Sequence, residues 1–383
     1  MAEIGSTCTV TEKCIYFVMD ECMGIDHQGC KTKQNIIDGV NKAQNEAIIS
    51  RIKKVDNKID GKRILITGGA GSFGSAFCLY LKQHDIHPEK VIVMSRDVLK
   101  HNELKDKLGK TEFPFNTIVC SVTDLKGLEY AFNGVDIVIH AAAIKYIVEC
   151  EYNTRQTLAI NCDGTQNVVD AAIKCGVKKT ILISTDKACQ AINTYGISKA
   201  MAEKIITNGN NLAGKRDSRF SVCRYGNVVG SVGSIIPLFK RLIAEGAKVL
   251  PITHPEMTRF FYKMNDAVEF VINSIQVMQG AETFIPKIPS VKIVSVAEAL
   301  DMPYEITGIR PSEKLHECMI PPEQSHLTED MGNYYIIKPS ILFRDDLRYP
   351  EGKKVPKDFS YCSGTNPEFL TIEQIKESVE SCN

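Results

Sequence analysis

The chain has 383 residues, 44% hydrophobic and 24% charged, with no tryptophan, a profile that fits a globular protein of one large domain or two modest ones. Lys+Arg and Asp+Glu both number 46, so no overall field recruits nucleic acid or a membrane surface, and an anionic ligand must be held by local groups. The fourteen cysteines are scattered without a Cys-x-x-Cys pair, which speaks for reduced thiols and against a disulfide framework.

Residues 1–60 read as an extension. The opening MAEIGSTCTVTEKCIYFVMDECMG lacks the basic start and continuous apolar core of a signal peptide. No run approaches the ~18 residues of a membrane span, so a cytoplasmic location and no membrane partner are expected. Cys14, Cys22 and Cys30, near His27, stand at intervals wrong for a zinc finger; no metal is expected. Ile37, Val40, Ile48, Ile52, Val55 and Ile59 then recur at helical spacing, which predicts an amphipathic helix packed on the main body.

From residue 61 strand and helix signals alternate. RILIT, KVIVMS, NTIVC, VDIVIHAAA, KTILIST and FSVCRYGNVVG are short β-rich runs separated by amphipathic stretches, with one long helix expected through TLAINCDGTQNVVDAAIKCG. That rhythm predicts an α/β fold, a doubly wound parallel sheet of Rossmann type over 61–233. Beyond Gly233 it breaks into short elements rich in proline and charge, so 234–383 is expected to form a smaller α/β substrate-binding lobe and tail at the sheet's carboxyl edge.

Within ILITGGAGSFG, Gly69, Gly71 and Gly74 form G-x-G-x-x-G directly after a strand and opening a helix. The turn Gly69-Ala70-Gly71-Ser72-Phe73-Gly74 lets backbone amides approach a pyrophosphate at the positive helix end. The second strand ends at Ser95, followed by Arg96, Asp97 and Lys100. Arg96 and Lys100 suit a ribose 2′-phosphate and favour NADP; Asp97 as a ribose acid would serve NAD instead. Ser121, Val122 and the run from Ala141 are expected to line the same cleft.

Tyr195 and Lys199 stand four residues apart, one helical turn, in TYGISK. Their free pKa values are ~10 and ~10.4; a nearby ammonium lowers the phenol's, so that it can take a proton from an alcohol as hydride leaves. Asp186 and Lys187 follow the KTILIST strand end, and a plain alcohol dehydrogenase has no use for them. Oxidation of a sugar at C4 acidifies its C5 proton. Lys187, held neutral by burial and neighbouring cations, would remove it, and protonated Asp186 would release the C6 hydroxyl as water. A 4-epimerase would leave that pair idle, and a non-catalytic NADP-sensing protein would not need Tyr195 or Lys199.

The segments TGGAGSFG, SRDVLK, HAAAIKYI, STDKA, INTYGISK, RYGNVVGSVGSIIPLF, PITHPEMTRFF, GIRPSEKLHECMI and SGTNPEFLT run in order from about 62 to 371. On these the chain resembles the UDP-N-acetylglucosamine 4,6-dehydratases of the extended short-chain dehydrogenase/reductase superfamily, especially the soluble C5-inverting type of pseudaminic acid synthesis. The resemblance implies Asp186 and Lys187 as acid and base, with Tyr195 and Lys199 as the hydride-step pair. It implies Thr185 on the C4 oxygen with Ser184 beside it, Lys145 between cofactor and substrate, and Val228 and Val229 near the nicotinamide. Asn227, Thr253, Arg259, Arg310 and Glu313 would hold the UDP-sugar. A tightly bound NADP and a homo-oligomer, dimer or hexamer, are implied too. The chain departs from the family at Gln190-Ala191, usually Asn-Pro, and at Ser312, usually glycine.

Overall fold

The computed structural model describes residues 59–231 and 233–380. The helix expected over 37–59, all but its last residue, and the Cys14, Cys22, Cys30 and His27 spacing lie outside the described residues. The strands β1 (Arg63–Thr67), β2 (Lys90–Ser95), β3 (Phe115–Val119), β4 (Ile137–His140), β5 (Lys179–Thr185) and β6 (Arg219–Tyr225) run parallel in the order β3-β2-β1-β4-β5-β6. This is the expected doubly wound sheet, and its strand order reverses between β1 and β4, where such sheets open a crevice.

Side-chain alternation explains why helices cover both faces. Ile64 and Ile66 of β1 face a core shared with Phe77 and Leu81 of α1 (Ser72–Gln83). Leu65 faces a second core with Val168, Val169 and Ala172 of α3 (Gly164–Cys175); the intervening helix α2 is Val98–Leu108. Burying one such side chain contributes roughly 1.5–3 kcal/mol, so a charge at Leu65 would part β1 from α3.

The boundary expected at 233/234 is corrected by the topology. Residues past 233 do build a third core, around Ile236, Phe239, Phe261, Val296 and Ile375. They also return four strands to the main sheet. Thr283–Pro286 joins β6 in parallel, and Tyr334–Ile337, Thr328–Asp330 and Lys353–Lys354 follow antiparallel, ten strands in all. Ile59–Asn383 is accordingly one unit. The reason is β6 itself: Val222 and Cys223 are fully buried, and a strand of that kind needs a neighbour on each side.

The single helix expected through 157–176 is also interrupted. Thr154–Leu158 is α-helical, Ala159–Asp163 forms a π-helical turn, and α3 follows. The wide turn presents Asn161, whose Nδ2 donates to Ile144 O at 3.0 Å and to Ser198 Oγ at 2.9 Å, while its Oδ1 accepts from Ile144 N at 2.9 Å. Those bonds pin the loop after β4 to the helix α4 (Thr194–Ala213). No helix among the described residues is long and apolar enough to cross a membrane.

Candidate active site

At the switch point β1 enters the glycine turn. Gly68 has a φ of +65°, and a Cβ there would stand 2.7 Å from Ala142 Cα, so only glycine lets this turn close on the loop after β4. Beside it opens a cleft of about 710 Å³ whose walls include Ala70, Gly71, Ser95, Arg96, Asp97, Lys100, Ser121 and Val122, all expected there. Of the run from Ala141, Ala142 and Ala143 line it; Gly68 and Ile160 line it too and were not among the expected residues. Gly69 lies in the turn before α1, and Ser72, Phe73 and Gly74 form the first turn of that helix. The side-chain-free cradle at Gly68, Gly69 and Gly71 and the depth of the cleft fit a dinucleotide. Val228 and Val229 fall elsewhere, in a small cavity with Asn227, Arg259 and Phe261.

At the rim Asp97 is the cap of α2. Its Oδ1 accepts from Lys100 N at 3.1 Å and its Oδ2 lies 3.5 Å from Lys100 Nζ. That backbone bond above all, and then the lysine, holds its carboxyl below the usual range. Arg96 is exposed at the same rim. Lys145 is exposed on the loop after β4, and partial burial of its ammonium lowers its pKa.

Following β5, Thr185 caps a 3-10 turn, Asp186–Ala188. Asp186 is fully buried. Its Oδ1 accepts from Thr185 Oγ1 at 3.0 Å and from Lys187 Nζ at 3.0 Å, and its Oδ2 has no hydrogen-bond partner. Lys187 Nζ also donates to Asn227 Oδ1 at 3.0 Å and lies 3.3 Å from Glu317 Oε1. The expectation of a neutral Lys187 is corrected here. Burial pushes its pKa down, but the carboxylates of Asp186 and Glu317 outweigh both burial and the opposing Arg259, and hold it charged.

Asn193 caps α4, its Oδ1 accepting from Gly196 N at 2.8 Å. Gly196 lies so close to the Lys187 carbonyl that any side chain would strike it, and this brings Tyr195 against the Asp186 turn. Tyr195 is buried, and burial raises its pKa to about 12; Lys187 pulls the other way. The expected lowering by Lys199 is therefore corrected: the opposing cation is Lys187. Lys199 Nζ donates to Ile183 O at 2.7 Å, and burial lowers its pKa to about 8.

The outer contacts are placed unevenly. Ser184 Oγ turns inward and donates to Glu203 Oε1 at 2.6 Å. Glu203 also accepts from Arg224 Nε at 3.0 Å and Nη2 at 2.6 Å, a buried ion pair. Thr253 is buried against Met257 Sδ. Arg259 donates to Thr258 O at 2.7 Å and pairs with Glu313 Oε1 at 3.3 Å; Arg310 is exposed. Ser312, where relatives have glycine, adopts a φ of +64°, and Gln190 adopts +47°, so both departures sit in backbone that disfavours them. Glu317, Glu203 and Arg224 escape a sequence reading because no spacing marks them.

The family model described as "Polysaccharide biosynthesis protein" matches residues 64–339. A UDP-N-acetylglucosamine 4,6-dehydratase (inverting) of Campylobacter jejuni is 44% identical over 84% of this chain and 98% of its own. A UDP-glucose 4-epimerase of Rickettsia canadensis is 34% identical over 84% and 96%. Among solved structures, Pen from Bacillus thuringiensis superposes with a TM-score of 0.77 at 27% identity, over 85% of this chain and 98% of its own. The dTDP-glucose 4,6-dehydratase DesIV of Streptomyces venezuelae, solved with NAD and TYD bound, shares the fold with a TM-score of 0.59 at 19% identity, over 66% and 86%. With a buried acid and tyrosine and a half-buried lysine gathered at the end of β5, a glycine-lined cleft at the switch point, and these matches along nearly all of its described length, the chain belongs to the polysaccharide biosynthesis protein family, among the UDP-N-acetylglucosamine 4,6-dehydratases of the extended short-chain dehydrogenase/reductase fold.

Proposed function

We propose that the chain converts UDP-N-acetylglucosamine to a UDP-4-keto-6-deoxy-hexosamine by loss of water, with inversion at C5 and with NADP as resident cofactor. The observation that carries this is the Asp186–Lys187 pair, 3.0 Å apart at the end of β5 and in the electrostatic neighbourhood of Tyr195. Inversion is supported by the 44% identical relative, which is named for it.

A dinucleotide would be held by the turn Gly69–Gly74, by Ser121 and Val122, and at its ribose end by Arg96 and Lys100. Bound there, it supplies the two-electron acceptor for the sugar's C4 and the donor for C6. The chain's own residues handle the protons. Tyr195, as the phenolate that the Lys187 charge favours, takes the C4 hydroxyl proton, and Thr185 Oγ1 holds Asp186 Oδ1 in place. The resting Asp186 carboxylate and Lys187 ammonium differ from the working acid and amine only by one proton moved across their 3.0 Å bond. Exclusion of water by substrate favours that neutral pair. Lys187 then takes the C5 proton while Asp186 gives its proton to the departing C6 oxygen.

Proton NMR of the protein with UDP-N-acetylglucosamine in deuterated water tests this. A C6 methyl signal with deuterium at C5 is expected, and the ring couplings report the C5 configuration. A growing 4-epimer without a methyl would sink the dehydratase reading in favour of the epimerase; no turnover by cofactor-loaded protein would favour a sensor.

NADP is preferred over NAD because Asp97 is occupied with capping α2 and with Lys100, while Arg96 stays exposed at the rim. Arg96→Ala is expected to raise the Kd for NADP at least about tenfold, the loss of one charge-assisted phosphate contact of ~1.5 kcal/mol, and to leave NAD affinity near wild type. Equal effects on both cofactors would remove Arg96 from that role.

A homo-oligomer is also proposed. The helix Ile147–Tyr152 packs on α4, and together they expose Val148, Tyr152, Ile197 and Met201, an apolar surface of the kind that marks an interface. Light scattering that gives a monomer would end this proposal. A cytoplasmic location is proposed from the nine cysteines among the described residues, all free thiols, and cell fractionation checks it.

A further inference from the structure

Glu317 is a buried acid at the catalytic cluster with no part in the steps above. It precedes the strand Cys318–Ile320 and is 3% exposed. Ser363 clamps its main chain on both sides: Glu317 N donates to Ser363 Oγ at 3.0 Å, and Ser363 N donates to Glu317 O at 2.7 Å. Ser363 Oγ lies 2.7 Å from Thr258 Oγ1, which ties the clamp to the neighbouring strand Thr258–Tyr262. The carboxylate therefore has a fixed seat. Its Oε1 is 3.3 Å from Lys187 Nζ and 3.9 Å from Arg259 Nε. Its Oε2 is 3.8 Å from Lys314 Nζ and, though buried, has no hydrogen-bond partner.

A purely structural carboxylate would be better satisfied than this one. Both of its other cations have partners already: Arg259 has Glu313, and Lys314 Nζ donates to Cys189 O at 2.6 Å. Around Lys187 Nζ stand three oxygen atoms: it donates hydrogen bonds to Asp186 and Asn227 and forms an ion pair with Glu317 at 3.3 Å. During elimination these are not equivalent. The C5–H bond breaks and an N–H bond forms at Lys187, so positive charge grows on Nζ. The electron pair moves into the C5–C6 bond as the C6–O bond breaks, and Asp186 gives its proton to the departing oxygen. Until that proton has left, Asp186 is neutral, and Asn227 is neutral throughout. Glu317 is then the one anion against Nζ among the described residues.

We propose that Glu317 is the positioning residue for C5 proton transfer: its seated carboxylate orients the Lys187 amine and stabilises the ammonium as it forms. The proposal rests on the reading of Asp186 and Lys187 as acid and base. A preorganised charge aimed at a developing charge is worth roughly 10²–10³ in kcat.

The test compares wild type with Glu317→Gln and Glu317→Asp. Glu317→Gln is expected to lower kcat for methyl product roughly 10²-fold with KM near wild type, and Glu317→Asp to recover part of it. A second readout needs no turnover: the pH dependence of acetic anhydride labelling at Lys187, read by peptide mass spectrometry. Loss of an anion lowers a lysine's pKa, so the labelling midpoint moves to lower pH in Glu317→Gln. It stays near wild type in Glu317→Asp, with Asp186, Arg259, Lys314 and Tyr195 unchanged around Nζ. An unchanged kcat or an unchanged midpoint in Glu317→Gln overturns the proposal. If that variant does not fold, a wild-type kcat in Glu317→Asp overturns it. Wild-type protein that forms no methyl product, while Glu317→Gln still shifts the midpoint, overturns the dehydratase reading and this role with it, and shows that the fault lies in the reaction and not in the Glu317–Lys187 coupling.

Discussion

Lys187→Ala should form methyl product at least about 10³-fold more slowly than wild type, within the range a positioned general base supplies, yet still oxidise the sugar at C4. The split follows from the geometry. Tyr195 and Lys199 are held by α4, with Lys199 anchored on Ile183 O, and neither depends on the Lys187 side chain for its position. Removing the ammonium leaves Asp186 and Glu317 facing each other across an emptied space, with no group left to accept the C5 proton. Mixing the variant with UDP-N-acetylglucosamine should therefore raise the reduced-nicotinamide absorbance and hold it there, while NMR shows neither methyl product nor deuterium at C5. Normal water loss would refute the base assignment. Loss of both steps would mean that Lys187 instead serves Tyr195, whose phenol it pulls toward ionisation.

Arg224→Ala should be the most destabilising single change outside the sheet cores, at about 3–5 kcal/mol. Arg224 and Glu203 are both buried, and the guanidinium also donates to Met319 O at 2.7 Å and Gln324 Oε1 at 3.2 Å. Its removal strands the Glu203 carboxylate in the interior with Ser184 Oγ as its remaining donor. The urea midpoint should fall sharply, and Arg224→Met combined with Glu203→Met should recover much of the loss, since a matched apolar pair leaves no charge uncompensated. A midpoint shift under ~1 kcal/mol for Arg224→Ala would mean that water reaches Glu203.

The sheet and the glycine turn were legible because their signals are local: short apolar β-rich runs such as RILIT and KVIVMS, and three glycines between a strand and a helix. Asp186, Lys187, Tyr195 and Lys199 were legible for the same reason, lying on one strand end and one helix turn. What those residues are in charge terms was not. The protonation of Lys187 depends on Glu317, which no local pattern joins to it, and the raised pKa of Tyr195 depends on burial that spacing does not show. Ser184 illustrates the same limit: next to Thr185 in sequence, it points to the opposite face and into the Glu203–Arg224 pair. The π-helical turn around Asn161 keeps an ordinary helical composition, so its altered hydrogen bonding leaves no periodic trace.

The return of Thr283–Pro286 and its antiparallel neighbours to the edge of β6 bears on how the molecule is made. Synthesis delivers the nucleotide-binding strands first, and β6 must wait, its apolar edge uncovered, until the segment past Thr283 has been translated. Arg224 waits longer still for Met319. The emerging chain thus carries an unpaired hydrophobic strand through much of translation, the condition that invites a chaperone or self-aggregation. A nascent chain ending near 233 would present all four proposed catalytic residues and still be an aggregation-prone fragment; closure of the sheet and arrival of Glu317 at Lys187 both require the C-terminal third, so no partly made copy can be both folded and armed.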